Sequence, residues 1–130
     1  PAGGPANQVE AYVDRMELAY AASDFVIGRA GANTVSELTA LGLPAVYVPL
    51  PIGNGEQRLN AEPVVAAGGG LIVADAELTV DWLRSRLLPV LGDPAARQAM
   101  GQAARGFGRL DADRQLADLV RAAVDGEVAT

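Results

Sequence analysis

Three times along this chain a short, largely apolar run is followed by a stretch with helical spacing that ends in glycine or in a polar break. Val9–Val13 precedes Arg15–Ala22, where Met16, Leu18 and Ala19 keep near-helical spacing until Ser23 and Asp24 interrupt it. Phe25–Ile27, closed by Gly28, precedes Thr34–Leu41, which repeats apolar residues at Val35, Leu38 and Leu41 and stops at Gly42. Ala45–Leu50, between Pro44 and Pro51, precedes Gln57–Ala67, which runs up to Gly68–Gly70, and Leu71–Val73 is one more short strand. Runs without a polar side are strands buried on both faces, and strands joined by helices lie parallel through right-handed crossovers. The pattern therefore predicts an α/β fold, a Rossmann-like doubly wound parallel sheet, here of four strands.

After Val73 the strands stop and a helical C-terminal tail is expected over Thr79–Leu91, Pro94–Gly106 and Asp111–Val124. Thr79 and Asp93 read as N-caps, Pro94 as a first helical residue and Asp111 as the start of the last helix. Trp82, Leu83, Leu87 and Leu88 read as core or interdomain packing, and Arg84, Arg86, Arg97 and Arg105 as a solvated face. Pro1–Asn7 is Pro, Gly and Ala without periodicity, so residues 1–8 are expected to be a linker or excised edge. Residues 9–130 are then a partial domain, because four strands make a small sheet for this class and the sequence starts with Pro1 rather than Met.

Composition removes whole classes of chemistry. With no His and no Cys there is no material for a Ser-His-Asp triad, a thiolate zinc site or a disulfide framework. A net charge of -6 leaves no basic stripe, so nucleic acid is not an expected partner. No apolar run approaches the roughly 20 residues of a membrane span, and a soluble chain is expected.

Two polar clusters remain for function. The first follows the Phe25–Ile27 strand: Gly28-Arg29-Ala30-Gly31-Ala32-Asn33-Thr34, then Ser36 and Glu37 in the next turn. Ligands of open α/β sheets bind at the carboxyl ends of the strands, where this turn must lie. Small residues at Ala30, Gly31 and Ala32 let a ligand reach the backbone, and the unpaired N–H groups of a helix start suit a phosphate. Glu37, one turn on, could accept from both hydroxyls of a ribose. The competing reading is structural: Gly28 and Gly31 make a tight turn, Thr34 caps and Glu37 complements the helix dipole. The turn lacks both the P-loop lysine and the G-x-G-x-x-G fingerprint, so the residues alone leave the two readings open.

The second cluster is Asn54-Gly55-Glu56-Gln57-Arg58-Leu59-Asn60, a loop feeding a helix start. Spacing puts Glu56 and Asn60 on one helix face, with Gln57 turned about 100° away. Carboxylates and amides suit sugar hydroxyls. The alternative is a solvated helix start with Gln57 facing water.

The segment Asp24–Leu50, D-F-V-I-G-R-A-G-A-N-T-V-S-E-L-T-A-L-G-L-P-A-V-Y-V-P-L, followed by N-G-E-Q-R-L-N-A, closely resembles the nucleotide-sugar half of MurG-type N-acetylglucosaminyltransferases, two-domain GT-B enzymes of peptidoglycan synthesis. The resemblance covers roughly Val9–Val124 and is strongest over Tyr12–Ala74. It implies that Gly31, Ala32, Asn33 and Thr34 hold the diphosphate of a UDP-N-acetylglucosamine donor, and that Glu37 binds the ribose diol. It further implies that Glu56 and Gln57 read sugar hydroxyls, and that Asn60 occupies the family's Asn-Ala position. Arg29 matches a basic position that either touches phosphate or braces the loop. Ala30 departs from the Ser of many relatives, and Glu56 from an amide in some.

The same resemblance implies transfer with inversion to the undecaprenyl-pyrophosphoryl-muramoyl-pentapeptide lipid, without a metal or other cofactor. The acceptor domain and general base have no counterpart here, so the chain alone is expected to be inactive and to contribute no catalytic residue. It also implies peripheral attachment to the cytoplasmic face of the bacterial inner membrane, through the absent half only. Two alternatives keep the donor and change the rest: a GT-B transferase acting on another lipid or small molecule, or a stand-alone UDP-sugar-binding subunit that works with a partner chain.

Overall fold

The computed structural model describes residues 14–129 apart from 52 and 54. The strand expected over Val9–Val13, the linker over 1–8 and the loop residue Asn54 lie outside the described residues. Helix α1 (Met16–Ala21) leads into β1 (Val26–Gly28), α2 (Ala32–Leu41), β2 (Ala45–Tyr47), α3 (Glu56–Ala66) and β3 (Gly70–Ile72). The strands are parallel in the order β1-β2-β3, with Val26 opposite Ala45 and Ala45 opposite Gly70. The expected strands are present, each shorter than or one residue out of step with the apolar run. Ala45–Leu50 ends as a strand at Tyr47 because Pro49 and Pro51 have no N–H to donate, although the Val48 amide still bonds the Gly28 carbonyl at 2.8 Å.

β2 organises the core. Ala45, Val46 and Tyr47 are all fully buried, and their side chains alternate between two layers. Ala45 and Tyr47 pack with Val35 and Leu38 of α2 and Ala61 and Val64 of α3. Val46 and Val48 pack with Val73, Leu87 and Trp82 on the other face. Two successive right-handed crossovers in one direction place α2 and α3 on the same side, as the first layer shows. Helices therefore cover both faces of an open parallel sheet, the expected class.

The tail differs from expectation in two places. Thr79 does cap, accepting the Trp82 N–H at 3.2 Å, but the stretch from Val80 to Leu91 is two short α-helical pieces, α4 (Val80–Trp82) and α5 (Leu88–Leu91), around a π-helical segment Leu83–Leu87. Pro89 is the physical reason, since it has no N–H and its ring would clash with the carbonyl four residues back, so the ladder widens. Leu88 is 54% exposed and does not join the core.

Helix α6 then runs unbroken from Pro94 to Ala129, 36 residues in place of two helices. Asp93 supplies the expected cap, accepting the Ala95 N–H at 3.1 Å. Asp111 starts nothing; it lies inside the helix and accepts from Gln115 at 3.0 Å. Between the expected end at Gly106 and the expected start at Asp111 the helix makes a close contact instead: a Cβ on Gly108 would stand 3.0 Å from the Thr39 backbone. Of the arginines expected on a solvated face, Arg84, Arg86 and Arg105 are exposed. Arg105 donates to the Leu41 carbonyl at 3.0 Å, closing the end of α2 beside left-handed Gly42. Arg97 buries its Nε without a partner among the described residues.

Two consequences are measurable. A Cβ on Gly101 would lie 2.6 Å from the Gly42 carbonyl oxygen, whereas one on Gly106 of the same helix meets nothing within 4 Å. Gly101→Ala is therefore expected to lower unfolding stability by about 1–3 kcal/mol, and Gly106→Ala to raise it by roughly 0.5–1 kcal/mol, in denaturant titrations. Equal effects would contradict the close helix contact. Tyr47 buries its hydroxyl without a partner among the described residues, and burial, then the nearby Tyr20, pushes its pKa up to about 12. A folded pKa above the unfolded value contributes stability below the unfolded value that is lost as pH rises through the folded one, so the window runs from about 10 to about 12. Tyr47→Phe is expected to match or exceed the parent at neutral pH and to lose less stability across that alkaline window.

Candidate functional site

The two polar clusters meet at the carboxyl ends of β1 and β2. α2 starts two residues earlier than the apolar spacing suggests, with Gly31 as N-cap at φ -62 and ψ 149 and no side-chain cap. Thr34 is therefore within the first turn and does not cap. The first intrahelical bond runs from Val35 to the Gly31 carbonyl at 3.0 Å. The amides of Ala32, Asn33 and Thr34 consequently have no helical partner, while Ala32 and Asn33 are exposed and Thr34 half-buried. A ten-residue helix thus presents the positive end of its dipole and open N–H groups on the side where open parallel sheets bind ligands.

The turn before it is held by α3. Ala30 is fully buried; its N–H donates to Gln57 Oε1 at 3.2 Å and its carbonyl accepts from Asn60 Nδ2 at 3.0 Å. The same Gln57 oxygen accepts the Leu50 N–H at 2.8 Å. Gln57 therefore does not face water, and it converges with Asn60, three residues on, instead of pointing away from it. Glu56 is the exposed residue of the three. α3 begins at Glu56 behind Gly55, whose φ of 75 is left-handed.

Arg29 spans the next gap. Its Nη1 contacts Asp75 Oδ1 at 2.6 Å and the Val48 carbonyl at 3.3 Å, tying the end of β1 to the end of β2 and to the 3-10 turn Asp75–Glu77. These contacts are those of the bracing role. Both partners are about half exposed, so the pair is worth at most about 1 kcal/mol. Asp75 was not legible as a partner, since 46 residues separate it from Arg29. It also lines a cleft of about 440 Å³ with Pro49, Leu50, Arg58 and Ile72. That cleft lies at the carboxyl ends of β2 and β3 and takes in none of the α2 first turn.

Glu37 lies on the far side of α2, exposed, where it borders an apolar notch formed by Met16, Tyr20, Ala40 and Leu41. Burial first, and then the Glu37 carboxylate, raise the Tyr20 phenol above its ordinary pKa. Tyr20 and Met16 were missed as site neighbours; helical spacing on α1 showed an apolar side but not what it faces. The site therefore has three parts: an open helix start, a carboxylate beside an apolar notch on the same helix, and an amide-bearing helix. Such parts suit a diphosphate, a nucleoside and a polar head group. Among the described residues, no three acidic, His or Cys side chains gather as a metal site, and no helix is long and apolar enough to cross a membrane.

Known proteins are similar to this chain. The UDP-N-acetylglucosamine--N-acetylmuramyl-(pentapeptide) pyrophosphoryl-undecaprenol N-acetylglucosamine transferase of Streptomyces avermitilis is 64% identical over 113 residues, which is 87% of this chain and 31% of that protein. The transferase of the same name from Thermobifida fusca is 59% identical over 125 residues, covering 96% of this chain and 33% of that one. The crystal structure of Acinetobacter baumannii MurG superposes with a TM-score of 0.71 at 35% identity, covering 81% of this chain and 31% of the other. The chain thus spans about a third of the length of the relatives it matches. The model of the glycosyltransferase family 28 C-terminal domain matches residues 3–116, and the chain belongs to that family.

Proposed function

We propose that this domain binds UDP-N-acetylglucosamine for an inverting N-acetylglucosaminyltransferase of peptidoglycan synthesis, the acceptor being the undecaprenyl-pyrophosphoryl-muramoyl-pentapeptide lipid. The observation that carries the reading is the uncapped start of α2, set at the carboxyl ends of a parallel sheet, in a chain 64% identical to a transferase whose name states that donor and acceptor. The diphosphate would accept from the amides of Ala32, Asn33 and Thr34. The ribose diol would donate to Glu37, with the uracil in the apolar notch beside it. The N-acetylglucosamine would then extend toward Glu56, Gln57 and Asn60.

In the reaction, the acceptor hydroxyl forms a bond to the anomeric carbon as the bond from that carbon to the diphosphate oxygen breaks, and configuration inverts. The hydroxyl proton passes to a base outside this chain, and the electron pair leaves with UDP. Negative charge grows on the departing diphosphate, where the preorganised helix start lowers its energy without a metal ion in this reading. Acceptor binding and peripheral contact with the cytoplasmic face of the bacterial inner membrane belong to the two thirds of the relatives' length that lies outside this chain.

Calorimetric titration of the full-length protein with UDP-N-acetylglucosamine tests the assignment, with a CDP-sugar as the control. Glu37→Ala is expected to weaken UDP-sugar binding by about 1.5–3 kcal/mol, the scale of hydrogen bonds to a charged acceptor. A folded parent that binds no UDP-sugar, or a Glu37→Ala protein that binds it as tightly as the parent, would refute the placement of the donor.

A further inference from the structure

Gln57 carries an amide whose two ends its surroundings tell apart. Oε1 accepts from both Ala30 and Leu50; reversing the amide would set its NH2 hydrogens against two backbone N–H donors, so the orientation is dictated by the backbone. One helical turn on, Asn60 donates to the Ala30 carbonyl. A single residue is thus gripped at its N–H and its C=O by two side chains of α3. Neither the Ala30 nor the Leu50 amide has a backbone acceptor among the described residues.

The position of this grip matters. The Ala30 carbonyl belongs to the peptide that enters Gly31, the N-cap of α2, so fixing it fixes the direction in which the amides of Ala32, Asn33 and Thr34 point. The shared Gln57 oxygen ties that turn to Leu50 in the loop after β2. Without these contacts, the two loops would be held together only nearer the strand ends, by the Val48 amide on the Gly28 carbonyl and Arg29 on the Val48 carbonyl, and the open N–H groups would lose their common aim.

We propose that Gln57 and Asn60 are positioning residues, a two-amide clamp on Ala30 that holds the α2 start in the shape that binds a nucleoside diphosphate. The ligand rests on the donor reading above, while the clamp itself rests on the geometry around Ala30. A role limited to reading sugar hydroxyls makes a different forecast, because UDP has no sugar for either amide to touch.

The experiment uses the full-length protein with UDP as the probe, together with hydrogen exchange at the Ala30 and Leu50 amides. Gln57→Leu is expected to weaken UDP binding by roughly fivefold or more, and Asn60→Ala by a similar factor, which is the scale of losing one or two hydrogen bonds. Exchange at Ala30 and Leu50 should accelerate in Gln57→Leu. In Gln57→Glu, whose carboxylate keeps an acceptor for both amides, protection should be restored. UDP affinity unchanged in Gln57→Leu and Asn60→Ala, with any loss confined to UDP-N-acetylglucosamine, would overturn the clamp. So would parental exchange rates at Ala30 and Leu50 in Gln57→Leu. A parent with protected amides that binds no UDP would instead overturn the donor reading and leave the grip on Ala30 standing as architecture alone.

Discussion

The central strand sets the terms for the rest of this domain. β2 hydrogen-bonds to a parallel neighbour on each side and is packed on each face, which leaves Ala45, Val46 and Tyr47 without solvent contact. Such a strand has no polar side to spare. Its functional chemistry must therefore come from the loops at its carboxyl end and from those of its neighbours, which open on the same edge because the strands run parallel. That constraint brings Arg29, Ala30, Leu50, Gln57 and Asp75 together from well-separated stretches of the chain.

Within that edge, charge and hydrogen bonding divide the labour. The α2 start offers positive potential through unpaired amides and needs no cationic side chain. Arg29, the cation one would first assign to a phosphate, is engaged with Asp75 and the Val48 carbonyl. Polar side chains of α3 face inward to Ala30 while Glu56 faces out. Binding groups and bracing groups thus interleave along a few residues, and a contact map rather than residue type separates them.

Much of the fold was legible because its determinants are local. Wholly apolar runs marked the strands, Gly42 marked the end of α2, and Thr79 and Asp93 capped as expected. The errors have two causes. The break expected between Gly106 and Asp111 is bridged by one helix whose Gly108 closely approaches Thr39, a tertiary contact; the π segment at Leu83–Leu87, ahead of Pro89, lay inside a stretch whose spacing suited a regular helix. In the site, the α2 turn and Glu37 stood out through spacing. The roles of Gln57 and Arg29 did not, since each depends on partners 27 and 46 residues away, and no period in a sequence encodes such distances. The motif likeness to MurG-type enzymes placed the domain in its family, where the family model agrees.

In the proposed reading, backbone amides at the start of α2 hold the donor's diphosphate. A crystal structure of the full-length protein with UDP-N-acetylglucosamine would locate that diphosphate. Its oxygens are expected within about 3 Å of the amides of Ala32, Asn33 or Thr34, with Gln57 and Asn60 still gripping Ala30. A diphosphate held elsewhere by basic side chains, with the α2 start vacant, would contradict that reading.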